Sequence, residues 1–535
     1  MNYYSFKIRS FKFLFIFVFI FAAAFSAVTS DCSAGVLNER CDNILYVPMD
    51  DRPVNLLYVK QTADAAGFNL ICTPYEYLPK ITVPGDTDKI WNWLLENVKY
   101  ADSIMLSGDT MIYGGLVPSR IHMQPVECLE KNAEKFNEIK KINPNVKVYV
   151  FNTIMRTPKS SRGGVEPAYY EKFGPKIFQI TALNDKAMQQ KLSETEQVEL
   201  SNLNKEVPEN CLEDWFARRE KNLAINKKMI DIARSGKIDY FILCRDDCYP
   251  YSQSRLEYRI LAKYAEGISR ERFISFMGAD ELGMVLLARC AGEMRDKKTS
   301  VFVKYSDGPG PETVPAYEDY AIKHNIAAHI AAAYAETCEN ESKADMVLYV
   351  NTPFNGVTKG AEDISNKMNA SSSLEVFVSS VKKSVLKGRR VSIADVAFAN
   401  GSDNALMIML HENSLLAKIS AYAGWNTAGN TIGYAVGQGI LSSWMRPHEK
   451  NRMLALRYLD EWAYQANFRK QIYELYLKPR NLPREHIGLI EFQAKIKLRE
   501  LLIGFADKYL GEFLINNIIP EFPWNRLFEV QLGVR

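Results

Sequence analysis

"KIDYFILCRDDCYPYSQSRLE", residues 237–257, sets the pattern on which the fold prediction depends. An apolar run from Tyr240 to Leu243 leads directly into Arg245, Asp246 and Asp247. A run without polar alternation indicates a strand that is covered on both faces, as strands of parallel sheets are. The two adjacent carboxylates at its end repel each other, so their presence there needs a reason beyond the strand itself.

Short apolar runs of this kind recur along the chain and alternate with longer helical patterns such as Leu129–Ile142 and Tyr317–Cys338. The nine strand candidates are Asn43–Met49, Phe68–Pro74, Asp102–Gly108, Val146–Asn152, Asp239–Cys244, Arg272–Gly278, Ser300–Ser306, Asp345–Asn351 and Arg390–Val396. Alternating strands and helices predict an α/β fold with a parallel sheet. We expect a (β/α) barrel-like domain. The alternative is an open doubly wound parallel sheet in two domains, split near residue 300.

Three parts are expected in the chain. Residues 1–30 form a signal peptide, residues 43–440 a (β/α) catalytic domain, and residues 441–535 a C-terminal helical region. A long, polar helical stretch predicts an insertion at about 185–235, and the amphipathic pattern of residues 451–477 predicts the C-terminal helices. The closing stretch "FPWNRLFEVQLGV", residues 522–534, predicts a short strand that packs back on the body.

The N-terminus has the pattern of a secretory signal. Lys7, Arg9 and Lys12 precede the apolar run "FLFIFVFIFAAAFSAV", residues 13–28, which small residues follow. The run is short for a spanning helix, so we expect cleavage and no stable membrane span afterwards. A lipoprotein at Cys32 and an uncleaved anchor are the weaker alternatives. The expected location is secreted, periplasmic or at the cell surface.

Composition and motifs narrow the function classes. The 535 residues carry a net charge of +3, and no basic block favours a nucleic-acid partner. We find no G-x-S-x-G or Walker motif and expect no cofactor. Nine cysteines include no zinc-ligand pattern. Cys244 is predicted to be buried at a strand end, and Cys32 and Cys41 are a candidate pair.

Polar side chains follow strand after strand. They are Asp50, Asp51, Arg52 and Asn55 after the first; Asp109, Tyr113 and Arg120 after the third; Arg156 after the fourth; Asp246 and Asp247 after the fifth; Asp280 and Glu281 after the sixth; and Asp395 and Asn400 after the last. Ligands of parallel α/β folds bind at the carboxyl ends of strands, so we expect one shared cleft. A helix cap or turn explains any single acid, but three of these sites carry two acids in a row.

Two adjacent carboxylates suit acid–base chemistry. One of Asp246 and Asp247 stays ionised while repulsion keeps a proton on the other, a division of roles that glycosidases use. Trp425 and Asn426 combine an apolar plate with an amide, which suits a sugar, although a core position explains Trp425 equally well. The pair Asp50 and Asp51 is an alternative catalytic pair, and bound Mg²⁺ or Ca²⁺ is the main chemical rival.

Six motifs together resemble the bacterial domain of unknown function (DUF) 4127 family. They are "YVPMDDRPVN", "DTMIYGGLVPSR", "RDDCYP", "GADELGMVLLAR", "DVAFANGSDNAL" and "AYAGWNTAGNTIG", and they extend over nearly the whole exported chain. The order of the Asp pair, the Asp/Asn-rich segment and the Trp-Asn segment is also similar to O-GlcNAcase-type glycosidases. That similarity implies a (β/α) barrel acting on N-acetylhexosaminides, whose own acetamido group attacks.

The same similarity implies roles for individual residues. Asp246 would orient the acetamido group, Asp247 would be the general acid/base, and Asn400 and Asn426 would hold sugar hydroxyls. We therefore expect an exported glycoside hydrolase that acts on a carbohydrate or cell-envelope glycan. The alternatives are a carbohydrate- or envelope-binding protein without turnover and a metal-dependent hydrolase.

Overall fold

The structure is a computed structural model that describes residues 42–160 and 164–534. Six parallel strands form the first sheet: β1 (Asn43–Val47), β2 (Asn69–Cys72), β3 (Ser103–Ser107), β4 (Lys147–Ile154), β5 (Tyr240–Arg245) and β6 (Phe273–Met277). The second sheet has five: β7 (Thr299–Tyr305), β8 (Ala335–Thr337), β9 (Met346–Asn351), β11 (Arg390–Asp395) and β13 (Ala421–Ala423). Two small pairs complete the set: β10 (Lys359–Gly360) with β12 (Phe398–Ala399), and β14 (Ile518–Glu521) with β15 (Gln531–Val534).

The two large sheets share one strand order. The first runs β2-β1-β3-β4-β5-β6, and the second runs β8-β7-β9-β11-β13 when read from its β8 edge. In each, the chain adds a strand on one side of its starting strand and then crosses to the other side. The switch points therefore lie between β1 and β3 and between β7 and β9, and such points are where open α/β sheets bind ligands.

The predicted α/β class with parallel strands is confirmed, and all nine strand candidates are strands. They do not close into a barrel: among the described residues β2 and β6 are the edges of one sheet, and β8 and β13 those of the other. The chain has the alternative arrangement, two open sheets divided between residues 277 and 299. An apolar run shows that both faces of a strand are covered, but it does not show which strands pair.

Helices cover the sheets. In the first half they are α1 (Leu57–Ala65), α2 (Thr87–Asn97), α3 (Gly108–Tyr113), α4 (Leu116–Ile121), α5 (Val126–Glu134), α6 (Phe136–Ile142), α7 (Tyr170–Gln189), α8 (Glu194–Glu206), α9 (Glu209–Arg234) and α10 (Gln253–Tyr264). In the second half they are α11 (Leu282–Met294), α12 (Ile322–Ala332), α13 (Ser372–Leu386), α14 (Asn404–Glu412), α15 (Ala428–Leu441), α16 (Pro447–Arg457), α17 (Arg469–Ile472) and α18 (Glu491–Tyr509). Two π-helical stretches, Tyr458–Phe468 and Tyr473–Leu477, flank α17.

One core joins the two sheets. Helices α11 and α15 lie in it together with α12, between strand residues such as Tyr46 of β1 and Leu348 of β9. All fourteen residues of α15 are buried, including the polar Asn430, Thr431 and Gln438. Separate cores lie on the other face of each sheet. Burial on both faces explains why the strands read as continuous apolar runs.

Three helices, α7, α8 and α9, occupy the stretch that contains the predicted insertion, and helices dominate the chain after residue 441. The predicted closing strand is present as β15, which pairs antiparallel with β14. Cys244 is fully buried, as predicted. The signal peptide, Cys32 and Cys41 lie outside the described residues. Within the described residues no helix is both long and apolar enough to cross a membrane.

Candidate functional site

A cleft of about 550 Å³ opens at the carboxyl ends of both sheets. Its walls come from strand-end loops and from the C-terminal region. The lining residues are Arg52, Leu116, Val117, Arg120, Arg156, Ser160, Val165, Asp246, Asp247, Ala279, Asp280, Tyr317, Asn400, Asn426, Thr427, Arg469, Arg484, Glu485, Trp524, Arg526, Leu527 and Phe528. Eight predicted site residues thus share one cleft: Arg52, Arg120, Arg156, Asp246, Asp247, Asp280, Asn400 and Asn426.

A slightly larger cavity, about 640 Å³, lies at the opposite edge. Its lining includes Ser103, Lys147 and Ala335, which are at the amino ends of β3, β4 and β8. Ligands of parallel α/β folds bind at the carboxyl ends, where the backbone loops present their polar groups. The cleft at the carboxyl ends is therefore the candidate site, although it is the smaller of the two cavities.

Asp246 and Asp247 leave β5 side by side in the cleft. The backbone N–H of Asp247 donates to Oδ1 of Asp246 at 2.9 Å. This turn ends the strand and allows consecutive side chains to face the same space. Exposed fractions of the two side chains are similar, 16% and 17%, so both carboxylates are accessible to a ligand.

Each aspartate binds its own arginine. Arg120 Nη2 lies 2.5 Å from Oδ2 of Asp246, and Arg156 Nη1 lies 2.9 Å from Oδ2 of Asp247. Glu166 joins the two arginines, because its Oε1 lies 2.7 Å from Arg156 Nε and 3.6 Å from Arg120 Nη1. Burial and the charge of Asp246 raise the pKa of Asp247 to about 6, against the lowering effect of Arg156. Asp247 can therefore exchange a proton near neutral pH.

Arg52 and Asp280 form the neighbouring wall. Arg52 donates to Asp280 through Nη2 at 2.5 Å and to Asp50 through Nε at 2.9 Å. Asn55 Nδ2 also donates to Asp50, at 2.8 Å. Burial raises the pKa of Asp280 to about 6. Asp50 and Asn55 thus hold the side chain of Arg52 in its orientation through this hydrogen-bond network, and they do not line the cleft themselves.

Asn400 and Asn426 are the residues through which loops of the second half of the chain line the cleft. Both have left-handed backbone conformations, with φ values of +59° and +62°, which asparagine tolerates better than most residues. The backbone N–H of Asn400 donates to the carbonyl oxygen of Asn426 at 2.8 Å. The loops after β12 and β13 are therefore held together at the cleft, where these asparagine residues are among the lining residues.

The C-terminal hairpin supplies a wall that the sequence analysis missed. Between β14 and β15 the chain contributes Trp524, Arg526 and Phe528 to the cleft. Trp524 has a φ of +58°, an outlier for a bulky side chain of the kind that clusters at functional sites. The centroid of its indole ring lies 5.1 Å from the guanidinium carbon of Arg52 and 4.5 Å from that of Arg526. The stretch "FPWNRLFE" contains these aromatic and basic residues, but its pattern predicts only a strand that packs on the body of the protein.

Besides Asp50 and Asn55, three predicted site residues that follow strands of the first sheet lie outside the cleft. Asp51 accepts from Tyr75 at 2.9 Å and from Trp524 at 2.7 Å. Asp109 is buried, accepts the N–H of Thr153 at 2.9 Å, and has a pKa that burial raises to about 7. Tyr113 is buried at the end of α3. These side chains support the loops from beneath.

Three more predicted site residues, Glu281, Asp395 and Trp425, are buried and do not line the cleft. Glu281 turns from the cleft and lies 3.0 Å from Nε2 of His329. Asp395 accepts a hydrogen bond from Tyr422 at 2.8 Å. Trp425 is 4% exposed and belongs to the core, so the alternative explanation for this residue holds. Trp524, rather than Trp425, is the tryptophan that faces the cleft.

Within the described residues, no group of three or more His, Cys, Asp and Glu side chains is arranged as a metal-ligand set. The cleft acids are instead bound to arginines, whose positive charge repels a cation. The cleft thus combines ion-paired carboxylates, arginines, amides and one half-buried indole, a set able to hold a polar organic ligand and transfer protons to it.

The fold and the cleft define an α/β protein of two doubly wound parallel sheets that share one polar site at their carboxyl ends. The chain matches a family described as "protein of unknown function (DUF4127)" over residues 44–533 and belongs to that family. Comparison with curated proteins and with solved structures found no match.

Proposed function

We propose that this protein is an exported glycoside hydrolase whose acid–base machinery is Asp246 and Asp247. The observation that carries the proposal is that the two carboxylates lie side by side in one cleft, each held by a different arginine. Paired carboxylates with divided roles are the working groups of glycosidases. Trp524 and the two asparagine side chains supply the apolar plate and the amides that a sugar ring needs.

Asp247 is assigned as the general acid. Its raised pKa keeps part of the population protonated near pH 6, so it can protonate the leaving oxygen. Asp246, paired with Arg120, is assigned as the carboxylate that stabilises positive charge at the reacting sugar. If the sugar is an N-acetylhexosaminide, Asp246 orients the acetamido group, whose oxygen attacks the anomeric carbon. This substrate-assisted route follows from the similarity of the motif order to O-GlcNAcase-type glycosidases. Those enzymes are (β/α) barrels, whereas the described strands of this chain form two open sheets.

Hydrolysis of a panel of aryl glycosides, including aryl N-acetylhexosaminides, tests the proposal with the purified chain and its variants. Asp247→Asn should lower kcat/KM by roughly 100-fold or more on poor leaving groups. The kcat/KM of Asp247→Asn should fall far less on dinitrophenyl glycosides, because dinitrophenolate leaves without being protonated. Asp246→Asn should lose activity on both kinds of substrate, because it acts at the sugar.

Asp88→Asn is the matched control, because Asp88 is an exposed partner in a surface ion pair with Lys135 and such pairs contribute little. Full activity in both cleft variants would move the chemistry elsewhere. Sugar binding without turnover by the wild-type chain would favour a carbohydrate-binding protein. Loss of turnover with a chelator would favour a metal-dependent hydrolase.

A further inference from the structure

The side of the cleft formed by the C-terminal region is rich in arginine. Arg469, Arg484 and Arg526 line it. Arg526 is paired with Glu529, to which Nε donates at 2.8 Å. The other two share one acid: Arg469 Nε lies 2.7 Å from Oε1 of Glu362, and Arg484 Nη1 lies 2.6 Å from Oε2. Glu362 thus offsets the charge of one of these two guanidinium groups.

The shared carboxylate is held ionised. Burial opposes ionisation of Glu362, but the two arginines outweigh it and lower its pKa. Each guanidinium has five N–H donors. Glu362 and Gln465 accept from two of those of Arg469, and the side chain of Arg484 stacks on Tyr473 at 4.4 Å. The planar groups are thus fixed in orientation at the cleft surface, a geometry that matches an oxyanion.

We propose that the sugar bound in this cleft carries an acidic group, and that Arg469 and Arg484 receive it. This inference rests on the proposed carbohydrate ligand, but not on turnover. A carboxylate or a phosphate ester can accept charge-assisted hydrogen bonds from the remaining guanidinium N–H groups. Such bonds are stronger than those to the hydroxyl groups of a neutral sugar. Glu485, which lines the same side, is half-buried and opposes the acidic group.

Three monosaccharides that share one ring test the inference by direct calorimetric binding: N-acetylglucosamine, N-acetylmuramic acid and N-acetylglucosamine 6-phosphate. Binding is measured with the unmodified chain, because these monosaccharides have no glycosidic bond to hydrolyse. At least one acidic sugar should bind about tenfold tighter than the neutral one. Tighter binding of N-acetylmuramic acid identifies a carboxylate, and tighter binding of the phosphate identifies a phosphate ester.

Arg484→Gln should abolish the preference, because it removes one of the two guanidinium groups that receive the acidic group. The side chain of Arg484 is 36% exposed, so its replacement leaves the fold intact. Arg480→Gln is the matched control: Arg480 is exposed on the same segment and donates to the backbone oxygen of Tyr476. Glu485→Gln should strengthen the preference. Equal affinity for the three sugars, no binding of either acidic sugar at millimolar concentration, or a preference that survives Arg484→Gln overturns the inference. A glycosidase without this preference would leave the proposed function standing.

Discussion

The indole Nε1 of Trp524 donates a hydrogen bond to Oδ1 of Asp51 over 2.7 Å, between positions 473 residues apart. This contact ties the C-terminal hairpin to the loop after the first strand. It holds the indole in the cleft wall against the cost of its left-handed backbone. The cleft is therefore assembled from both ends of the described chain, and its aromatic surface depends on that contact.

Replacement of Trp524 separates its two roles. Trp524→Phe keeps an aromatic ring but loses the donor to Asp51, and it should lower the free energy of unfolding by about 1 kcal/mol. Trp524→Ala also removes the plate and should weaken sugar binding about tenfold. Urea unfolding and calorimetric titration measure the two effects. Trp444→Ala is the control, because Trp444 packs on Phe68 away from the cleft and its loss should leave sugar affinity unchanged. Unchanged affinity in Trp524→Ala would remove the indole from the binding surface.

The pH profile of kcat/KM should respond in opposite directions to two substitutions beside Asp247. Activity requires protonated Asp247, so it should fall as pH rises through about 6. Arg156 lowers the pKa of Asp247 and Glu166 raises it. Arg156→Gln should therefore move the alkaline limb to higher pH, and Glu166→Gln should move it to lower pH. Limbs that stay in place, or that move together, would contradict the assignment of Asp247 as the acid.

Buried carboxyl groups should make the protein less stable as pH rises. Burial raises the pKa of each of six groups to between about 6 and about 8: Asp109, Asp247, Asp280, Glu318, Asp395 and Glu461. Unfolded carboxyls lose their protons near pH 4, so the folded state binds more protons between that pH and about 8. Stability falls with pH wherever the folded state binds more protons.

The midpoint of thermal unfolding should therefore be higher at about pH 5 than at about pH 8. His122 has the opposite effect on the pH dependence of stability, because burial lowers its pKa to about 4. The six carboxyl groups outweigh this single histidine. Asp109→Asn and Asp395→Asn should each reduce the difference between the two midpoints. A midpoint that rises from pH 5 to pH 8 would contradict the balance of these groups.

Two helical glycines should give opposite results when replaced by alanine. At Gly433 a Cβ would lie 2.7 Å from Cβ of Glu281, and closer still to its Cγ, inside a fully buried contact. Overpacking of this kind costs about 1–3 kcal/mol. At Gly504 nothing lies within 4 Å of the added Cβ, so the helix propensity of alanine should stabilise by up to about 1 kcal/mol. Urea unfolding of both variants measures the difference, and a stable Gly433→Ala would disprove the close packing of α15 on Glu281.

Local pattern was sufficient for some of the fold. Each of the nine predicted strands is an apolar run long enough to be recognised alone. By contrast β8 and β13 have three residues each, and β8 lies inside a predicted helix. The choice between a barrel and two sheets depends on which strands pair, and nothing in a single run specifies its neighbour.

Some residues of the candidate site could be predicted from local sequence, and others could not. Strand-end acids were found because position after a strand is local, and Asp246 and Asp247 are examples. Arg469 was missed because its partner Glu362 is 107 residues away, and "NFRK" alone indicates only a helix surface. Trp425 was selected for its neighbours in sequence, yet burial in the core removes it from the cleft.

The position of the hairpin has a consequence for biosynthesis. A nascent chain emerges from its N-terminus, and domains fold as units during synthesis. Both large sheets are complete at residue 423, about a hundred residues before Trp524, Arg526 and Phe528 leave the ribosome. A product cut short between these points retains every strand of both sheets but lacks one wall of the cleft. Translation of the hairpin codons therefore decides whether the cleft is complete.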